Sequence, residues 1–132
     1  MSFKLINPDA LGAPSGFSHG VLVDGGGKLL FVAGQIAWNQ NQKIVSDDFA
    51  EQFDQALDNV IAVVKTAGGE SNNIVRIVVY VTNKQEYLAQ TKAVGERYRK
   101  HMGKHFPAMV LVQVTSLLDD AAKVEIEAMA VI

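Results

Sequence analysis

The sequence predicts an α+β domain in which helices cover one face of a β-sheet. Three observations carry that expectation. Phe49, Phe53, Leu57, Val60, Ile61 and Val64 recur at three- and four-residue steps, the spacing of one helical face. IVRIVVYV, residues 74–81, is rich in β-branched side chains and short enough for a buried strand. Two further strand-like runs, FPAMVLVQV and KVEIEAMAVI, close the chain.

In chain order, FKLI forms a first short strand and NPDALGAPSG an irregular loop. VLVD and KLLFVAGQI flank GGG, which predicts a hairpin, because glycine tolerates the positive φ that such turns require. The helix that begins near residue 49 is capped by Ser46 or Asp48. Asp47 and Glu51 suit its positive end, and Gly68–Gly69 terminate it. After the 74–81 strand, Asn83 and Glu86 have capping-box spacing, and Tyr87, Thr91, Val94, Tyr98 and Met102 lie along one side of a second helix. The series is β-β-β-α-β-α-β-β, one mixed sheet with two helices on one face, in a single domain spanning 1–132. Two helices leave the other face bare while several strands are apolar on both sides, so self-association is expected, with clefts between subunits.

Charge and composition exclude several function classes. Twelve Lys and Arg against fourteen Asp and Glu give a formal charge of −2, which offers no footprint for nucleic acid or for an anionic membrane. No cysteine is present, so disulfides, thiolate nucleophiles and sulfur-ligated zinc are ruled out. The opening MSFKLINPDALGAPSGF lacks the apolar core of a signal peptide, and a cytoplasmic protein is expected. No His, Asp and Glu spacing makes a metal site. GGG lacks the lysine and hydroxyl residue of a phosphate loop.

GFSHGV, FVAGQI, FPAMVLVQV and KVEIEAMAV, in that order and at those intervals, resemble the Rid family, also called YjgF or L-PSP endoribonuclease-like. The resemblance covers nearly the whole chain. It implies a chorismate-mutase-like fold and a homotrimer whose sheets surround a central barrel. It also implies small-molecule sites at the subunit interfaces and cofactor-free hydrolysis of reactive enamines and imines to 2-oxo acids and ammonia. By position, Glu125 falls on the glutamate that orients the attacking water, and Gly34 and Leu111 fall on backbone donors to the substrate. Met109 stands where the family has an arginine that grips the substrate carboxylate. A thioether offers neither charge nor a fork of donors, so an altered substrate range is expected. Phe17, Ala33 and Gly95 replace a tyrosine, a serine and an asparagine, each removing a polar group from the pocket. The alternative is a trimeric ligand-binding or regulatory protein that keeps the cleft without the reaction.

In an extended strand Lys123, Glu125 and Glu127 share one face, and Val124, Ile126, Ala128 and Ala130 the other. Glu125 is thus the catalytic candidate, with Glu127 in a structural role. His19 is either a pocket acid/base or a histidine hydrogen-bonded within its loop. Trp38 seals either a subunit interface or a ligand entrance. The basic run RYRKHMGKH is read as a solvated helix end that complements the dipole.

Overall fold

The computed structural model describes residues 2–132. Its six strands are β1 (Ser2–Ile6), β2 (Gly20–Asp24), β3 (Leu29–Gln35), β4 (Ile74–Val81), β5 (Ala108–Gln113) and β6 (Val124–Val131). Three α-helices, α1 (Phe49–Thr66), α2 (Lys84–Ala89) and α3 (Thr91–Met102), interrupt them.

The principal sheet has the order β3-β6-β4-β5, antiparallel except for the parallel pair β4 and β5. The expected α+β class and mixed sheet are present, with two corrections. β2 does not form a hairpin with β3. It pairs with β1 in a separate antiparallel ribbon, although Gly25, Gly26 and Gly27 all adopt positive φ. Three consecutive glycines impose no register, and β3 instead takes the edge of β6, where Lys28 and Ile132 exchange backbone hydrogen bonds at 2.7 and 2.8 Å. The second helical stretch is two helices rather than one. It breaks at Gln90, whose side chain accepts the Ala50 N–H at 3.2 Å and donates to Asp48, tying the break to the start of α1.

The caps are likewise specific. Asp48 caps α1 by accepting the Glu51 N–H at 3.0 Å, while Ser46 donates to the Glu51 carboxylate. Asn83 caps α2 through the Gln85 N–H at 3.0 Å. The reciprocal half of the expected capping box is absent, because Lys123 Nζ engages the Glu86 carboxylate at 2.8 Å.

Strand alternation then divides the sheet. Val32, Ile77, Val79, Val81, Val124, Ile126 and Ala128 point to the helices and pack with Phe49, Phe53, Leu57, Val60 and Val64 of α1 in the core. Each of the valines, isoleucines, leucine and phenylalanines, fully buried, contributes about 1.5–3 kcal/mol, which is why α1 lies flat on β6 and β3. Met109 and Leu111 project to this same face from the edge strand β5. The opposite face carries Tyr80, Glu125 and Glu127, with Phe31 at 69% exposure and Val110 and Val112 also exposed. The β1–β2 ribbon reaches one end of that face, where Val21 and Val23 share a groove with Met129 and Val131. The rest is bare.

Candidate functional site

Glu125 and Gly34 meet on the open face. Val32 and Gln35 of β3 pair with Ala128 and Ile126 of β6, three steps against two, so a β-bulge falls at Ala33–Gly34. A bulge leaves backbone groups outside the ladder and re-aims the strand, a device common beside active sites. Gln35 Nε2 donates to the Ala33 carbonyl at 3.2 Å, which folds the bulge back on itself. Glu125 lies directly across Gly34: a Cβ built there would stand 2.6 Å from Oε2 and 2.8 Å from Cδ. Only glycine admits the carboxylate at this distance from the backbone.

The two acids of β6 are not equivalent. Tyr80 donates its hydroxyl to Glu127, and this bond, with smaller contributions from burial and charge, raises the Tyr80 pKa above the ordinary tyrosine value. Lys123 is held by Glu86. Among the described residues no side chain hydrogen-bonds or ion-pairs with Glu125, so its oxygens are free to accept from water or ligand.

Met109, Leu111 and Gly95 lie together on the other face. They line a cavity of about 140 Å³ between β5 and α3, walled mainly by apolar side chains. Tyr98 and Phe106 stack in it with ring centroids 5.5 Å apart, and the Tyr98 hydroxyl donates to the His105 carbonyl at 2.7 Å. Burial drives the Tyr98 pKa far above its ordinary value, so the ring serves as a neutral wall. The loop that carries GFSHG runs along the start of β5. There Ser18, 3% exposed, donates its hydroxyl to the Phe106 carbonyl at 2.6 Å and its N–H to the Pro107 carbonyl at 3.0 Å. Gly16 reaches the cavity rim.

Phe17 and His19 do not line that cavity in the single subunit. They pack edge to face with centroids 5.1 Å apart, and His19 Nε2 lies 3.4 Å from the Gly12 carbonyl. In the single chain His19 thus makes loop contacts, its N–H also donating to Asn7 Oδ1 at 2.7 Å. Trp38 lines a shallow groove with Gln35, Asn59 and Ala62, its carbonyl bonded to Asn59 Nδ2 at 3.0 Å.

The basic helix end is not simply solvated, contrary to expectation. Arg97 Nη1 at 2.7 Å, Lys100 Nζ at 2.8 Å and His101 Nε2 all converge on Asp54 of α1, which is 8% exposed. Burial alone would raise the Asp54 pKa, but hydrogen bonds from Lys100, His101 and Arg97 outweigh it and hold the carboxyl well below the ordinary range. This clamp joins α1 to α3. Among the described residues there is no group of three or more metal-ligating side chains, and no helix is long and apolar enough to cross a membrane.

Sequence reasoning missed three residues of this region. Ser18 fixes the loop, Tyr80 occupies Glu127, and Arg99 lines the cavity beside Gly95. Only Arg99 had a usable signal, its four-residue step from Gly95 along a helix.

The arrangement has counterparts among known proteins. A family model described as Endoribonuclease L-PSP matches residues 7–132. Human 2-iminobutanoate/2-iminopropanoate deaminase is 32% identical over 123 residues, 92% of this chain and 84% of that protein. The enzyme of the same name from Escherichia coli K12 is 37% identical over 105 residues, 80% of each chain. A Rid-family protein of unknown function from Yersinia pestis superposes with a TM-score of 0.88 at 33% identity over the full length of both chains.

Proposed function

Given that the chain belongs to the Rid family, we propose that it is a cofactor-free hydrolase of small imines or enamines, acting in a cleft completed by a second subunit. The observation that carries this reading is the free carboxylate of Glu125 held against the glycine of the bulge. Two relatives bear the name of an imine deaminase, and the chemistry such a name describes asks little of a protein. A protonated imine carbon is already electrophilic. Glu125 accepts a proton from water as the water oxygen bonds to that carbon, giving a carbinolamine. Glu125 then passes this proton to nitrogen and takes the hydroxyl proton as the C–N bond breaks, so that ammonia leaves and the carbon becomes a carbonyl. No electrons are exchanged with a cofactor.

Strand alternation supports subunit association. In one chain Glu125 and Gly34 face one side of the sheet and Met109, Leu111 and Gly95 the other, so the two halves of the site cannot meet within a subunit. Phe31, Val110 and Val112 leave apolar surface on the open face. In the assembly we propose, three sheets close into a barrel, burying that surface and bringing the Glu125 half of one subunit to the Met109 half of its neighbour. The family model's description mentions an endoribonuclease, but a net charge of −2, with Arg97, Lys100 and His101 all on Asp54, gives no phosphate track.

A second reading, a trimer that binds ligand without turning it over, is favoured by Met109 alone, which withholds the family's cation. Imine consumption separates the two. An imine generated in place from its amino acid should be hydrolysed faster with the native protein than in buffer, and Glu125→Gln should remove the difference. Equal rates for native protein and Glu125→Gln would leave only the binding role.

A further inference from the structure

Four residues beyond Gly95, one turn along α3, Arg99 lays its guanidinium across the glycine. A Cβ built at position 95 would stand 3.1 Å from Nη1 and 3.8 Å from Cζ, so any side chain there would press on the cation. With glycine in place the guanidinium shares the cavity with Met109 and Leu111. Of the other basic groups of this helix, Arg97 and Lys100 are engaged with Asp54, and Lys92 lies in a separate groove beside Asp48 and Glu96. Among the described residues Arg99 has no carboxylate within ion-pair distance. Among the described residues no acidic side chain lines the cavity, and Arg99 is the one formally charged residue there. The walls are aromatic and aliphatic, including Phe53, Val79 and Phe106.

An unpaired guanidinium at an apolar pocket selects for two features in one ligand. Its planar fork of donors matches a carboxylate, and the pocket accepts an uncharged, water-avoiding body. Resting on the reading of this cleft as the substrate site, we propose that Arg99 is the carboxylate-binding residue of this protein. The proposed ligands are 2-imino or 2-oxo monocarboxylates with a branched or aromatic side chain. The cation comes from the helix and not from β5. The carboxylate therefore lies nearer α3, and the flexible thioether of Met109 borders the space left for the larger side chain. Gly95 acts as a positioning residue by keeping Arg99's place empty.

The test uses 4-methyl-2-oxopentanoate and its uncharged counterpart 4-methyl-2-oxopentanamide, with binding measured by calorimetry on the full chain. The native protein should prefer the carboxylate by roughly ten- to a hundredfold, the range of a charge-assisted hydrogen bond. Arg99→Gln should bind both probes with the affinity the native protein shows for the amide. Glutamine is a good helix former and Arg99 has no partner to orphan, so the variant should fold, as its circular dichroism would verify. An unchanged carboxylate preference in Arg99→Gln, or no binding of either probe to the native protein at millimolar concentration, overturns the assignment. Imine turnover, followed in parallel, keeps the two conclusions apart. Glu125-dependent turnover with no Arg99 effect on binding refutes Arg99 alone, while Arg99-dependent binding without turnover supports Arg99 and refutes the hydrolase reading.

Discussion

Gly34→Ala tests the link between backbone and chemistry with one added methyl group. Gly34 is outside the positive-φ region, so alanine fits its backbone without strain. The new Cβ would lie 2.6 Å from Glu125 Oε2, against an ordinary contact of 3.4 Å or more, and the carboxylate must retreat by about 0.8 Å. Rotating the glutamate off its preferred torsions costs about 1 kcal/mol. Replacing glycine by alanine restricts the unfolded chain and returns about 0.4–1 kcal/mol. Thermal stability should therefore change by no more than a few degrees. On the proposed role of Glu125, catalysis should not be so tolerant, because a reacting group displaced by about 1 Å commonly loses on the order of a hundredfold in rate. The assay is steady-state imine hydrolysis beside a thermal melt, with a crystal structure of the variant to show the displaced carboxylate. A displaced Glu125 with undiminished kcat/KM would refute its role in holding the water.

Three further outcomes are expected. Glu125→Gln should lower kcat by about 10²–10⁴, the range of general-base catalysis, with little effect on the binding of unreactive ligands by calorimetry. Phe31→Asp, placing a charge where an apolar side chain is 69% exposed, should convert the proposed trimer to monomers in light scattering and abolish the proposed turnover with it. Its cost is the loss of about 1.5–3 kcal/mol of burial per subunit. Asp54→Asn should lower stability by about 1–3 kcal/mol in denaturant titrations near neutrality, since its partners lose a charged acceptor. The folded pKa of Asp54 is depressed below its ordinary 3.8, so the stabilisation is fully present above about pH 4 and disappears only as pH falls through the lower folded value. The part of the difference that comes from the titration of Asp54 itself should thus shrink only below about pH 4.

Much of the fold is legible in the sequence because its long elements are strongly periodic. The α1 face from Phe49 to Val64 and the alternation of Val124 to Ala130 both appear in the core as the residue spacing requires. Pairing is less legible. The choice of β6 over β2 as partner of β3 depends on which edge offers the better apolar match, a tertiary property that GGG leaves undecided. The break at Gln90 is set by hydrogen bonds to residues 48 and 50, far away in sequence. The site divides in the same way. Strand alternation alone places Glu125 on the polar face of its strand, whereas setting Met109 on the opposite side needs the register through β4, the contact of Glu125 with Gly34 needs the bulge, and the place of Arg99 needs a neighbour's missing side chain.

The residues of α3 form two stripes with separate partners. Arg97, Lys100 and His101 turn to Asp54 on α1, while Gly95, Tyr98 and Arg99 turn to the cavity beside β5. Changes on stripes with no shared partner combine additively in free energy, and double-mutant cycles between them should return coupling near zero. Such a helix offers selection two independent dials. Helix–helix cohesion can be strengthened from one side to absorb the cost of remodelling the other, so on the proposed reading of the cavity a lineage can sample new ligands at Gly95 and Arg99 without first losing its fold.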